Sequence, residues 1–536
     1  ELTAENSEVI GELCRRLDGV PLAIELAAAR VASMSPNAIL ERLDERFRLL
    51  GHGRRTVRKR HQTLRAAVDW SYGLLEPREQ VVFQRLAVFS GDFSLEAAEA
   101  VVCDDAVDPL DLVDLVADLA AKSMVQVDDG DRYRLFETMR DYGLEQLALS
   151  GDLERCQQRH AEYYLFLVET AAGHFVGRDD ITWLRHVDDA YPNIRTALLF
   201  TRERFPSHFV RMVFALTRYW QANDRYREGL AWITAAHETA PETPGRAAAA
   251  TLAIAGAMAT VLTRWDEAAL WIQRSLDRST ADGEPPCPKA FSTLGLIALE
   301  QTRPEDARRF SEEAVALARA HGEPYELAEA LSQAGLQISL TTDDPRGTEL
   351  ADEGVDIARS LGNKTALHSA LQAAGVTRYQ TDPTQAISIL AEVFDHQTEY
   401  GRMASVNRSM KAFAHLAIRD DSGAATELLE AIPALQEAGF EYQLTIALAA
   451  AALLLRRRGD PSMAVRILAL NQRLRDDGRI HGAPRDIESQ KQLTERLQQE
   501  IEPPMFDQSW AEGRAMTIDE AVAQALEGLA PITNSP

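Results

Sequence analysis

Between Tyr226 and Gly478 the chain repeats itself, and this constrains its fold more than any other feature. Small residues stand at Gly229, Ala268, Ala307, Gly347, Ala386, Ala425 and Ala464, every step being 39 or 40 residues. A second series runs through Gly322, Gly362, Gly401, Gly439 and Gly478 in steps of 38 to 40. A third stands at Gly256, Gly295, Gly335 and Gly375. Three series sharing one period in this range predict a helical solenoid.

One unit can be read as two helices. Asp344-Pro345, Asp382-Pro383 and Asp460-Pro461 each mark a helix start. The carboxylate can accept from the unpaired first N–H groups, and proline suits the first helical position. A glycine such as Gly362 or Gly401 can then close the helix in the left-handed conformation. The partner helix follows, for example Ala366 to Gln380, and Gly335 and Gly375 allow close helix packing. Such a hairpin is apolar on two sides and cannot bury both alone, so neighbours stack into a curved array with a concave face. The pattern resembles tetratricopeptide repeats, with a period longer than their usual ~34 residues.

The chain has 536 residues, enough for several domains, and opens at Glu1 without an initiator methionine, which suggests a fragment of a longer protein. Its 82 acidic residues outweigh 57 basic ones, for a net charge of −25. That surface repels nucleic acid and anionic membrane, and it is ordinary for a cytoplasmic protein. Cys14, Cys103, Cys156 and Cys287 form no C-x-x-C pair, so neither a disulfide framework nor a zinc site is indicated. The longest strongly apolar run, Leu444 to Leu455, falls short of the ~20 residues a membrane helix needs and fits a buried repeat helix.

Residues 5–34 read as two helices, the first with Val9, Ile10, Leu13 and Leu17 on one face, the second from Leu22 to Val31. A third helix is expected from Pro36 to Leu50. By physics alone, Gly19 and Pro21 form a helix–turn–helix junction. The stretch GVPLAIELAAARV resembles the Gly-x-Pro motif that ends the nucleotide-binding (NB-ARC-like) core of STAND signalling ATPases, more narrowly of bacterial AfsR and LuxR-type regulators. The resemblance implies that Pro21 packs against the adenine of bound nucleotide, with Gly19 and Leu22 beside it. No Gly-Lys dipeptide occurs in the chain, so it contains no G-x-x-x-x-G-K-[ST] phosphate loop. ATP or ADP is therefore expected in the full-length protein, on an upstream nucleotide-binding domain, and no cofactor is expected on this chain alone. Within it we expect no catalytic residue and no metal site.

Residues 51–61, GHGRRTVRKRH, read as a basic linker that could meet phosphates or lie on the acidic region that follows. From 62 to 150 the pattern is four helices, a hairpin of Met124–Val127 and Tyr133–Phe136 around Asp128-Asp129-Gly130-Asp131, and a last helix from Glu137 to Leu149. TLRAAVDWSYGLL, FQRLAVFSGDFSLEAAEAV and YRLFETMRDYGLEQL resemble the winged-helix domain of the same regulators. In a DNA-binding winged helix the third helix enters the major groove. Here it would carry Asp111, Asp114 and Asp118 against Lys122, and residues 62–150 hold 18 acidic and 7 basic groups. Direct DNA binding is therefore not expected. The resemblance implies a latch over the nucleotide instead. Where relatives carry a phosphate-sensing histidine this chain has Phe136, with Arg140 as a weaker substitute.

A helical bridge is expected from 151 to 225, in which His160, Tyr163, Tyr164, Trp183 and Asn193 read as core at helical spacing. The repeats follow to about 480, and residues 481–536 form a helical tail with one long helix, Arg485 to Ile501. The sequence thus predicts an all-α dominated chain, in which a small winged-helix domain with a β-hairpin wing precedes a tetratricopeptide-like solenoid. As function, it implies a sensor fragment of a bacterial transcriptional regulator, with an effector protein or small molecule on the concave repeat face and no membrane partner. Two alternatives are a nucleotide-independent scaffold for protein partners and the regulatory part of a nucleotidyl cyclase fusion.

Overall fold

The computed structural model describes residues 7–17, 21–32, 34–40, 65–128, 132–342, 344–379, 381–395, 404–480 and 484–530. The fold is all-α apart from one three-stranded sheet. The chain divides into two compact units, one of residues 1–170 and 185–212, the other of residues 171–184 and 213–536.

In the first unit, helix Ser7–Arg16 is followed by Pro21–Ala29, which ends in a 3-10 turn over Arg30–Ala32. Leu13 and Leu17 are buried, whereas Val9 and Ile10 are only half-buried. Of the helix expected from Pro36 to Leu50, only its start at 36–40 lies within the described residues, and the basic linker 51–61 lies outside them. Helices follow at 65–72, Pro77–Leu86, Leu95–Val102 and Pro109–Ala121. Their starts are fixed locally: Glu76 and Glu79 cap each other reciprocally ahead of Pro77, and Asp108 accepts from the Leu110 N–H at 2.9 Å ahead of Pro109.

The hairpin forms as two short strands, β2 (Gln126–Asp128) and β3 (Arg132–Arg134). A third strand that the sequence reading missed, β1 (Phe93–Ser94), pairs with the free side of β3, so the antiparallel order is β1-β3-β2. Tyr133 stands opposite Phe93 on one side and Val127 on the other. Helix Glu137–Ser150 closes this region, with Gly151 left-handed at its C-cap. Phe89 stacks on buried Phe93 at 4.3 Å. His160, Tyr164 and Asn193 are buried as expected of core, while Tyr163 and Trp183 are half-buried. Asn193 is fully buried and does more than fill space. Its amide accepts from the Ser90 N–H at 2.8 Å and donates to the Asp92 carbonyl at 2.9 Å, fixing the turn that leads into β1.

In the second unit the periodicity has a direct physical cause. At Gly256, Gly335 and Gly375 the next helix comes so close that a Cβ would collide with it, and at Gly295 a Cβ would collide with Gln337, two helices on, and press on the next helix at Ala307. Near the first three, the opposing backbone carbonyl belongs to Ala268, Ala307 and Gly347, members of the first small-residue series. The two series are thus the two sides of one recurring helix crossing. Asp344, Asp382 and Asp460 accept from the N–H groups of Arg346, Gln385 and Met463, each at 3.0 Å, so all three Asp-Pro pairs start helices. Gly362, Gly439 and Gly478 are left-handed closures, Gly401 lies outside the described residues, and Gly322 is extended at φ −85 and ψ 153. A fourth periodic row appears only in the structure. The backbone turns left-handed at Asp224, Thr263, Thr302, Arg419 and Gly459, again about one period or a multiple apart. Beyond the expected long helix, found at Pro484–Glu500, two more helices, Pro503–Ala515 and Ile518–Leu529, pack on the end of the array. Phe506, Met516, Val522 and Leu529 enter its apolar core.

At the end of helix Pro288–Glu300, Glu300 Oε2 is shut off from water without a hydrogen-bond partner. Burial, reinforced by the nearby Asp486 carboxylate, pushes its carboxyl up to about 7 from the ordinary 4.5. Between those values the native state holds a proton that the unfolded chain has released. Stability contributed by the neutral form is therefore lost as pH rises from about 4.5 through 7. Glu300→Gln should flatten that fall and add about 2–3 kcal/mol at pH 8. Urea unfolding of both proteins at pH 5 and pH 8 would check it, and equal stabilities at pH 8 would contradict it.

Candidate binding site

Five alternate helices face one cavity of about 300 Å³. Its walls come from Pro206–Ala222, Arg246–Val261, Pro288–Glu300, Pro324–Thr341 and Lys364–Arg378, with Ile181 and Leu184 on a further side. Leu296 and Val261 supply apolar wall, while Thr260, Ser292, Thr293, Thr365 and Ser369 supply hydroxyls. Small pockets of this kind, mostly lined by side chains from several elements with a few fixed polar groups, are the usual form of a ligand site.

The fixed polar group here is an ion cluster spanning three of those helices. Lys289 and Glu329 occupy the same register one repeat apart, and Nζ lies 3.3 Å from the carboxylate. The Arg218 guanidinium lies over the Tyr325 ring, 4.3 Å from its centroid. Burial pushes the Glu329 carboxyl up, but Lys289 and Arg218 outweigh it and hold the group below its usual range. Burial likewise pushes Arg218 down, and the surrounding Tyr325, Glu329 and Glu326 more than offset that. Glu329 is therefore held as a carboxylate between two cations.

A clamp sets the wall beside it. Asn363, fully buried, donates from its amide to the Phe175 carbonyl at 2.9 Å and the Gly177 carbonyl at 2.8 Å. Its oxygen caps helix Lys364–Arg378 by accepting from the Ala366 N–H at 2.7 Å. Asp180, also fully buried, accepts from the Thr365 N–H at 2.8 Å and hydroxyl at 2.7 Å. This holds the segment 171–184 against the start of that helix and brings Ile181 and Leu184 to the cavity. None of these cavity residues was singled out from sequence. They are scattered over five helices, and only their common repeat register, visible for Lys289 and Glu329, could have flagged them.

The residues read as a nucleotide edge stand elsewhere. Pro21 and Leu22 are the first two residues of helix Pro21–Ala29, and Gly19 lies outside the described residues. Phe136 is the N-cap of helix Glu137–Ser150, and Arg140 donates to the Phe89 carbonyl at 2.8 Å. Lys122, the one cation of the acidic helix region 109–122, pairs with Glu79. Among the described residues no group of three or more His, Cys, Asp or Glu could hold a metal ion, and no helix is long and apolar enough to cross a membrane.

No family model matches the chain. It is similar to bacterial proteins of the helix-turn-helix regulator class. A "putative HTH-type transcriptional regulator" of Mycobacterium tuberculosis is 34% identical over 404 residues, covering 72% of this chain and 45% of that protein. The Mycobacterium bovis counterpart gives the same figures. An uncharacterized protein of Mycobacterium tuberculosis is 40% identical over 166 residues, 30% of this chain and 42% of that protein. The chain thus spans less than half the length of the curated relatives it matches. Among solved structures, a STAND protein with a tetratricopeptide repeat sensor from Pyrococcus horikoshii aligns with a TM-score of 0.40 at 13% identity, covering 82% of this chain and 70% of that one. A Rap protein complexed with Competence and Sporulation Factor aligns with a TM-score of 0.44 at 10% identity, covering 69% and 100%.

Proposed function

We propose that this chain is the regulatory and sensor part of a STAND-type ATPase that controls transcription. The observation that carries the reading is the cavity built jointly by successive repeats around the Lys289–Glu329–Arg218 cluster. An effector seated there touches five helices at once, so it can favour one arrangement of the array over another. It shifts the switch only by its difference in affinity for the two states. Similarity to "putative HTH-type" regulators supports the transcriptional output. In this reading residues 1–50 end a nucleotide-binding region and 62–150 are a winged-helix latch. ATP or ADP in the longer protein meets Gly19, Pro21 and Leu22.

The test uses a protein extended to include the phosphate-loop segment. Calorimetry with ATP and ADP, beside Pro21→Ala, should show binding that weakens about tenfold in the variant, roughly the loss of 1–2 kcal/mol of apolar contact. No binding at millimolar nucleotide would remove the ATPase part and leave a nucleotide-independent repeat scaffold.

A further inference from the structure

We infer that the cavity takes a small ligand bearing a single carboxylate on an amide- or hydroxyl-rich body, with the carboxylate held beside Lys364. This rests on reading the cavity as the effector site, and it adds the chemical class of the effector.

The first observation is charge. The cavity wall carries three cations, Arg218, Lys289 and Lys364, against two carboxylates, Asp224 and Glu329, in a chain whose net charge is −25. Both carboxylates are already engaged. Glu329 faces Lys289 at 3.3 Å with Arg218 close by, and Asp224 accepts from the Tyr226 hydroxyl at 2.8 Å. Asp180, near the same helix start, is held by the Thr365 N–H and hydroxyl. Lys364 is exposed and makes no ion pair among the described residues. One cation without an ion pair, on a wall whose carboxylates are already engaged, matches one carboxylate. It does not match a polyphosphate, whose several charges would require several more cations or a ring of backbone N–H groups.

The second observation is independent of charge. Gln221, Gln333 and Gln372 all line the cavity, and none of their side-chain amides makes a hydrogen bond to the described residues. Gln333 and Gln372 stand 39 residues apart, one repeat step. Each amide offers two donors and an acceptor. A purely apolar ligand would bury these groups unpaired at about 1–3 kcal/mol each, whereas a body with amides or hydroxyls would pair them. A short peptide with a free C-terminus and a free hydroxy- or amino acid both present this chemistry.

The experiment is affinity-selection mass spectrometry on the whole chain with three pools. They are mixed tripeptides with free C-termini, the same tripeptides amidated, and small organic acids including malate, succinate and glutamate. Lys364→Gln, Lys364→Arg and the cavity-filling Gln333→Trp are run alongside, each first shown to retain its helical circular dichroism. The expected result is retention from the free-acid tripeptides or the organic acids and none from the amidated pool. Affinity should fall about tenfold or more in Lys364→Gln, as for loss of a charge-assisted hydrogen bond, and largely recover in Lys364→Arg. Which of the two acid pools is retained identifies the source. Equal retention of free and amidated peptides, unaffected by Lys364→Gln but abolished by Gln333→Trp, would overturn the carboxylate assignment and leave the cavity as effector site. Retention indifferent to Gln333→Trp would overturn the cavity reading too. Retention from none of the pools would overturn the carboxylate assignment alone.

Discussion

Replacing Arg85 by methionine should cost the first unit about 2–3 kcal/mol, because it removes the charge-assisted hydrogen bonds of a buried guanidinium to a carbonyl and two half-buried carboxylates. The side chain is 5% exposed. Its guanidinium donates to the Val102 carbonyl at 2.7 Å, to Asp104 at 2.8 Å and to Asp152 at 3.4 Å. It thereby joins helix Pro77–Leu86 to the end of Leu95–Val102 and to the turn before Leu153–His174. Arg155 also reaches Asp104 at 2.9 Å and Asp152 at 2.8 Å, but from the solvent side, with 47% of its side chain exposed. The Arg85 hydrogen bond, more than any other contact, holds the Asp104 carboxyl well below its usual range. That carboxylate contributes stability above its unfolded pKa of 3.8, and the contribution is lost as pH falls below it. Arg85→Met should therefore also blunt the acid sensitivity of unfolding. Urea denaturation at pH 7 and pH 3.5 reads both effects. A loss under 1 kcal/mol at pH 7 would mean that Arg155 substitutes for Arg85. The double change Arg85→Met with Asp104→Ala should lose less than the two single losses added together, since the removed groups are partners.

Gly335→Val should destabilise the second unit by about 3 kcal/mol, at the upper end of what overpacking causes. A Cβ at Gly335 would stand 2.6 Å from the Gly347 carbonyl oxygen and 2.9 Å from the Ala351 N, so the obstacle is backbone. No rotamer relieves such a contact, and helices Pro324–Thr341 and Arg346–Leu361 would have to separate along their length. Gly173 is the natural control. It lies in helix Leu153–His174 with nothing within 4 Å of an added Cβ, so Gly173→Ala should instead gain about 0.5–1 kcal/mol. Denaturation midpoints of the two variants should move in opposite directions. If both rise, helix propensity outweighs packing at Gly335 and the account of the crossing is wrong.

That contrast also explains what could be read from the sequence. Gly256, Gly295, Gly335 and Gly375 were legible because close crossing admits only the smallest side chain, so geometry prints one residue type at a fixed period. The left-handed turns were not legible, since Asp224, Thr263, Thr302, Arg419 and Gly459 share a backbone conformation and no common chemistry. Strand β1 has two residues, too few for alternation to register, and it exists because β3 offers it an open edge. The candidate cavity was illegible for a different reason. Arg218 and Lys364 belong to helices far apart in sequence, and nothing local distinguishes them from other cations of the chain. The hairpin, by contrast, announced itself through alternation around an acidic, glycine-containing turn.

The Asp180–Asn363 clamp changes how such an array can come apart. A solenoid held only by nearest neighbours frays one repeat at a time from its ends. Here hydrogen bonds join positions 184 to 188 residues apart, a closure worth about 4–5 kcal/mol of chain entropy when it is lost. The repeats from Tyr226 to Leu361 lie between the two ends of that link in the chain. Amide protons there should exchange as one cooperative block whose protection collapses together when Asp180 is removed, while helices past Arg378 exchange in graded steps toward the C-terminus.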